Sequence, residues 1–443
     1  MTRDVSAQDP AGWPTAAELA VKTLGECRHV SPLAGPDAHE PFIDEARRVL
    51  LCSDAVELRH MGDAPPSFEP AGPRARIFFD PDALACGILT CGGLCPGLNN
   101  VVRAIVLRLA YAYRIRRIYG FSYGYEGLAR PDVHEPVLLF PDAVEHLHER
   151  GGTALGSSRG PQDLGRMVDT LVRFGVRLLF VIGGDGGLRG ASALAGEIAR
   201  RGLSIGVVGV PKTIDNDLQW TWRSFGFDTA VDAARTVLAA AHEEARGAWN
   251  GIGLVKLMGR HSGFIAAHAA LASGDVNFCL VPEVRFVLEG PDGLLAALEA
   301  RLAAKHHAVV VVAEGAGQEL IADGGAAARD PSGNVKLKDI GTFLRDRIAA
   351  HFRATGIDGV VRYIDPSYTI RSLPTNSFDA QLCLALGQHA VHAGMAGRTD
   401  VLVAVWNQRF THIPIPVAVA ARRQLDPRGE LWQRVLESTG QAA

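Results

Sequence analysis

The chain is predicted to be an α/β protein: two Rossmann-like three-layer domains with mainly parallel sheets, plus an N-terminal extension. Three observations carry this. Short apolar runs recur from Cys86 onward, continuous rather than alternating, as strands buried on both faces require. Amphipathic helical patterns lie between many of them, which makes βαβ units and parallel sheets. Several runs end in segments rich in glycine and aspartate, at the strand edge where open α/β sheets bind ligands.

Residues 1–80 stand apart. They are rich in Pro, Asp and Ala, with little periodicity outside Ile43–Leu51, and read as an extension that wraps or precedes the core. Strand signals then follow at Cys86–Thr90, Ile115–Tyr119, Leu178–Ile182, Ile205–Val210, Ile252–Leu257, Asn277–Val281, Ala308–Ala313, Val360–Ile364 and Val401–Trp406. This number of strands suggests two sheets. Helical patterns cover Asn99–Tyr113, where Val102, Ile105, Val106 and Leu109 share a face, and Gly190–Arg200, Thr229–Ala245, Ser262–Ala272, Thr342–His351 and Phe378–Ala393. The stretch Ala322–Lys338 reads as an exposed excursion. The expected division is 81–228 with a return segment 374–443, and 229–373 as a second unit.

Composition excludes several classes. The 443 residues are 47% hydrophobic with a formal charge of −3, so no basic excess is present to attract nucleic acid. Arg114, Arg116 and Arg117 read as a solvated turn. Seven scattered cysteines fit a reducing, cytoplasmic setting. Cys91 and Cys95 lack a second ligand pair and bracket a glycine loop, which argues against zinc. No secretory leader is visible, and no apolar stretch approaches the ~20 residues of a membrane span.

The chemistry concentrates in a few segments. Cys91–Asn100, with Gly92 and Gly93, joins a strand to a helix, and its glycines let backbone N–H groups approach phosphate; a plain structural turn is the alternative. In Gly183-Gly184-Asp185-Gly186-Gly187, Asp185 offers a hard oxygen ligand for magnesium, or simply caps a turn. Gly206–Thr213 nearly matches a phosphate-binding P-loop, but Pro211 stands where that loop needs glycine and an N–H. In Pro211-Lys212-Thr213-Ile214-Asp215-Asn216-Asp217 an extended chain would send Asp215 and Asp217 to one side. One could accept a proton from a hydroxyl and the other organise a metal or cation, with Lys212 facing phosphate oxygens. Arg260, after Met258-Gly259, suits a transition-state or sugar-phosphate cation. Glu314 suits sugar hydroxyls or a salt bridge. Arg362 and Arg371 could converge on one phosphate monoester, or form surface ion pairs. Metal, polyphosphate and an alcohol to be deprotonated together describe a sugar-phosphate kinase.

In order from about Ala85 to Gln408, these segments resemble the phosphofructokinase family. The loop with Cys95-Pro-Gly-Leu-Asn-Asn100, Pro211–Asp217, Lys256–Arg260 and Tyr363-Ile-Asp-Pro-Ser-Tyr368 look most like its plant and trypanosome branch, as does Ser31-Pro32-Leu33. The resemblance implies phosphoryl transfer to the 1-hydroxyl of fructose 6-phosphate. It makes Asp215 the base, lets Thr213 position the transferred group and assigns Mg2+ to Asp185 and Asp217. It has Arg260 and Arg159 (in Gly156-Ser-Ser-Arg159) stabilise the migrating charge. Gly92, Gly93 and Gly184–Gly187 would line the donor, so 81–228 with 374–443 becomes the donor half. Met258, Gly259 and Glu314 would contact the sugar, with Arg362 and Arg371 on its 6-phosphate and Tyr368 nearby, in a sugar-phosphate half at 229–373. Some of these residues come from a neighbouring subunit in the family, so a homotetramer or homodimer is implied.

The donor turns on two residues. Diphosphate-using members usually carry aspartate at the position of Gly186, where the carboxylate crowds and repels the α-phosphate of ATP. Lys212 is the residue expected of diphosphate users, yet Gly186 with Lys212 is the pair of the plant and trypanosome ATP branch. ATP is the expected donor, with diphosphate as the alternative. Gly187 departs from the usual Ser or Thr. An NAD-kinase-like enzyme shares a Gly-Gly-Asp-Gly loop but not the Asp215/Asp217 segment. A non-catalytic regulatory subunit should have lost a carboxylate that this chain keeps.

Overall fold

The computed structural model describes residues 13–34, 42–61, 64–322 and 335–441. Most of the excursion expected at Ala322–Lys338 lies outside these residues. Two main sheets organise the described chain. The larger has nine strands in the order Val49–Leu50, Ser67–Pro70, Arg409–Pro414, Val401–Trp406, Gly206–Pro211, Val176–Gly183, Ala85–Thr90, Arg117–Phe121 and Val137–Leu138. Its central five strands run parallel, and the outer ones add antiparallel. The smaller sheet is wholly parallel, ordered Phe278–Leu280, His307–Ala313, Gly251–Leu257 and Val360–Ile364.

The apolar runs are continuous because helices cover both faces of the larger sheet. Leu178, Phe180 and Ile182 enter one core with Val102 and Ile105 of helix Leu98–Leu107 and Leu386 and Ala390 of helix Ser377–Met395. Leu179 and Val181 point the other way, into a core with Met167 and Leu171 of helix Leu164–Arg173 and Leu188 and Leu194 of helix Asp185–Arg200. The helix expected over Asn99–Tyr113 loosens into a π turn at Arg108–Ala112. There Arg108 Nη2 and Tyr113 Oη both bond the His392 ring, at 2.9 and 2.7 Å.

Register brings the strand ends together. Thr90 pairs with Ile182, and Gly183 with Pro211, so three chemistry-bearing segments leave one edge side by side. In the smaller sheet Leu257 pairs with Ala313, which places Met258–Arg260 beside Glu314. The two halves are joined internally by Asp379 of helix Ser377–Met395. Its carboxylate accepts the Gly226 and Thr229 N–H groups at 2.9 and 2.7 Å and so caps helix Phe227–Arg246.

Strands Val49–Leu50 and Ser67–Pro70 of the N-terminal extension join the larger sheet, and an ion cluster ties this part of the extension to it. Glu69 Oε1 accepts from Arg74 Nη2, Arg398 Nε and His412 Nδ1, each at 2.9 Å, while Glu45 takes Arg74 Nε at 2.6 Å and Arg398 Nη2 at 3.0 Å. Burial alone would raise the Glu69 pKa, but the His412 hydrogen bond and charge and then Arg398 outweigh it, bringing it down to about 2. Glu69→Ala leaves the buried Arg74 and Arg398 with the more exposed Glu45 as their remaining carboxylate in this cluster. It is expected to destabilise the fold by about 3–5 kcal/mol at neutral pH, read by denaturant unfolding. Because the native pKa is depressed, the Glu69 contribution is present above the ordinary glutamate value and lost as pH falls from about 5 toward 2. The variant should lack that component of acid sensitivity.

Candidate active site

The glycine loop after Thr90 begins at Cys91, which bridges to Ser158, and Ser157 Oγ donates to the Gly92 carbonyl at 2.6 Å. Gly92 is left-handed at φ 84°, and a Cβ there would meet Lys212 Nζ at 3.2 Å. Lys212 is buried and donates to the Gly93 carbonyl at 2.7 Å, so it ties this loop to the Pro211–Asp217 segment. Burial lowers its pKa. A Cβ on Gly93 would stand 3.1 Å from Arg159 Nη2 and 3.8 Å from Arg371 Nη1, which places both arginines at the same loop.

Asp185–Gly187 form the first turn of helix Asp185–Arg200, with Gly184 as N-cap, rather than a free loop. A carboxylate in that turn is favoured by the helix dipole. Gly184 sits so close to the next segment that a Cβ would lie 2.9 Å from the Lys212 carbonyl. Gly186 opens onto free space, with nothing within 4 Å of a Cβ. At Gly187 a Cβ would press to 3.0 Å from the Cys91 Cβ, and Tyr125 Oη holds the Gly187 carbonyl at 2.6 Å. The absent Ser or Thr at 187 therefore has a steric counterpart: Cys91 fills its space.

The Pro211–Asp217 segment does not continue extended, contrary to the sequence expectation. It turns after Pro211, and Asn216 adopts φ 54°. Asn216 Oδ1 accepts the Ser224 N–H at 2.9 Å, and asparagine tolerates this conformation through such local bonds. Thr213 Oγ1 donates to Asp217 Oδ1 at 2.8 Å and accepts from the Asp215 N–H at 3.2 Å. Asp215 Oδ1 is buried with no hydrogen-bond partner among the described residues. Burial, then Asp217 and Glu314, push the Asp215 pKa well above the carboxylate range, against Lys212 and Arg260. Burial likewise raises Asp217, with Thr213 and Arg422 opposing and Asp185 adding.

Gly259 takes φ 128°, and a Cβ would collide with the Ser262 carbonyl at 2.5 Å, so only glycine fits this exit from the strand. The Gly315 N–H donates to the Gly259 carbonyl at 3.1 Å, fastening the Arg260 turn to the Glu314 turn. Burial raises Glu314, with Arg260, Lys256 and Arg371 opposing. Met258 packs at the margin of the core. Arg371 lies over the exposed Tyr368 ring at 4.7 Å. Arg362 is exposed at mid-strand, in register with Gly253, whereas Arg371 lies by the Gly93 loop.

Sequence reasoning missed several supports. Tyr125 and Ser157 brace the Gly187 and Gly92 turns, and Lys256 bonds Asp365 and Asp339 at 2.8 and 3.2 Å. Arg422 reaches Asp185 Oδ2 at 3.3 Å. Ser157 and Lys256 lie inside segments quoted for the resemblance without a role of their own, and no local motif marks Tyr125 or Arg422.

Known proteins resemble this chain over most of its length. The family model for phosphofructokinase matches residues 85–394. A curated ATP-dependent 6-phosphofructokinase of Amycolatopsis methanolica is 51% identical over 439 residues, covering 96% of this chain and 95% of its own. That of Trypanosoma cruzi is 44% identical, covering 97% and 89%. Among solved structures, a pyrophosphate-dependent phosphofructokinase from Marinobacter aquaeolei aligns with a TM-score of 0.66 at 19% identity, over 81% of this chain and 92% of its own. At that identity the likeness speaks for the fold.

Proposed function

The chain belongs to the phosphofructokinase family, and from that premise we propose that it is a 6-phosphofructokinase moving the γ-phosphoryl of ATP to the 1-hydroxyl of D-fructose 6-phosphate. The observation that carries the reading is the buried, unpartnered Asp215 oxygen between the donor loops and the Arg260/Glu314 turns. Once unprotonated, it can take a proton from a hydroxyl placed there.

In this reading Asp215 takes the proton of the sugar 1-hydroxyl as that oxygen bonds the γ-phosphorus. The bond from the γ-phosphorus to the bridging oxygen breaks, and ADP leaves. Thr213 positions the transferred group; Arg260, Arg159 and Lys212 face its charge. The work is positional and electrostatic, as phosphoryl transfer demands. Met258, Gly259 and Glu314 hold the sugar, and Arg371 with Tyr368 faces its 6-phosphate. The exposed Arg362 suits the 6-phosphate of a neighbouring subunit in a homotetramer or homodimer.

Asp185 and Asp217 are close enough for the charge of one to raise the pKa of the other. Among the described residues no group of three or more His, Cys, Asp or Glu forms a metal cage. Two carboxylates suit magnesium, an ion that shares its shell with substrate phosphates and water. Bound there, Mg2+ would neutralise the charge developing on the phosphate oxygens.

ATP is favoured over diphosphate by the open space at Gly186 and by the donors named for the relatives. We assign the donor to 81–228 with 374–443 and the sugar phosphate to 229–373. All seven cysteines are unpaired, which suits a cytoplasmic setting, and no helix among the described residues is long and apolar enough to cross a membrane. Initial rates with fructose 6-phosphate and Mg2+ test the reading. Turnover with ATP as sole donor is expected. Rates mainly with diphosphate would reverse the donor, and none with either, but a rate with NAD as acceptor, would overturn the function.

A further inference from the structure

The segment around Arg422 is stitched onto the loops of the candidate site. Leu218 and Arg422 form an antiparallel bridge, and the Arg423 N–H donates to the Asp217 carbonyl at 2.8 Å. Gln424 Nε2 donates to the His261 carbonyl at 3.1 Å, and the Leu425 N–H to Glu283 Oε1 at 2.8 Å. The backbone of Arg422 is thus fixed to the chain that carries Asp217. Its side chain, 31% exposed, reaches Asp185 Oδ2 at 3.3 Å.

Arg422 is therefore a cation set on Asp185, one of the two carboxylates read above as the magnesium site. A guanidinium and a divalent ion cannot both take the same lone pairs. The hold is light: charge-assisted N–H···O bonds ordinarily close to about 2.7–2.9 Å. Arg189 Nε meets that range on the other Asp185 oxygen, at 2.9 Å, and Arg422 does not. A guanidinium released from Asp185 on an anchored backbone stands beside the donor loops, and its planar fork matches phosphate oxygens.

We propose that Arg422 is a donor-positioning residue with two stations. It sits on Asp185 while the site holds no divalent cation, and on the terminal phosphates of a nucleoside triphosphate once such a cation displaces it. The proposal rests on the donor-site reading above.

Two readouts on Arg422→Ala and Arg422→Lys test it. The first is Mn2+ binding to the nucleotide-free enzyme, followed by electron paramagnetic resonance. Removing the competing guanidinium should tighten Mn2+ binding in Arg422→Ala by about tenfold. The second is steady-state kinetics. The KM for MgATP should rise by about tenfold in Arg422→Ala, with the KM for fructose 6-phosphate unchanged and Arg422→Lys intermediate. Unchanged or weaker Mn2+ binding would overturn the first station. An unchanged KM for MgATP, or an equal rise for both substrates, would overturn the second and leave Arg422 as a structural tie. Absence of ATP-dependent turnover in the unaltered enzyme would instead refute the proposed function, and the Mn2+ readout would still decide the first station.

Discussion

Asp215→Ser is expected to lower kcat by about 10²–10⁴-fold, the ordinary worth of a positioned general base. Fructose 6-phosphate should still bind, as calorimetry would show, because Arg260, Glu314 and the Gly259 turn are held by the second sheet and by bonds to Gly315. Near-normal turnover would remove Asp215 from the role of base. The unaltered enzyme carries a related signature. Burial and then Asp217 and Glu314 raise the Asp215 pKa, so in the free enzyme the carboxyl keeps its proton to higher pH than an ordinary aspartate. A base must be unprotonated, so kcat/KM should fall on the acid side at a pH above the usual carboxylate range. The same shift sets the sign for stability. A carboxyl with a raised native pKa supports the fold below its unfolded value and loses that support as pH rises through the native one. Asp215→Asn, inactive, should therefore gain thermal stability over the unaltered enzyme at alkaline pH.

Much of the fold was legible in the sequence because parallel strands sheathed by helices must be apolar at every position, as in Leu178–Ile182. The strand Arg409–Pro414 escaped notice. It is antiparallel, two pairings from the sheet margin, and mixes Arg409, Thr411 and His412 with Phe410 and Ile413. The role of the extension was hidden for another reason: Glu69 meets partners 329 and 343 residues away, and no local pattern records a contact of that range. At the site, the glycine and aspartate segments announced themselves, because close backbone approach and hard oxygen ligands restrict residue choice. Their conformation was less evident. The turn at Asn216 depends on Ser224, and the start of the helix at Asp185 depends on how Gly184 packs on Lys212. Arg422 is one arginine among many until the chain returns it to Asp185.

Gly186→Asp is the variant expected to act on the donor alone. Gly186 is the second residue of helix Asp185–Arg200, and a side chain there enters open space. The fold should accept it: an acidic residue in the first helical turn is stabilising by about 0.3–1 kcal/mol. The new carboxylate would stand next to Asp185, in the space read as that of the ATP α-phosphate. Two like charges about 4 Å apart repel by about 4 kcal/mol at the effective dielectric of a partly solvated site. The kcat/KM for ATP should therefore drop by about 10²–10³-fold. Diphosphate has no α-phosphate to be repelled, and Lys212, held on the Gly93 carbonyl, remains in place for its oxygens. The ratio of diphosphate to ATP turnover should rise, with the KM for fructose 6-phosphate little altered. An unchanged kcat/KM for ATP would show that the space beside Gly186 is not where the nucleotide lies. Donor choice would then have to rest on Lys212 and the loop it holds through the Gly93 carbonyl.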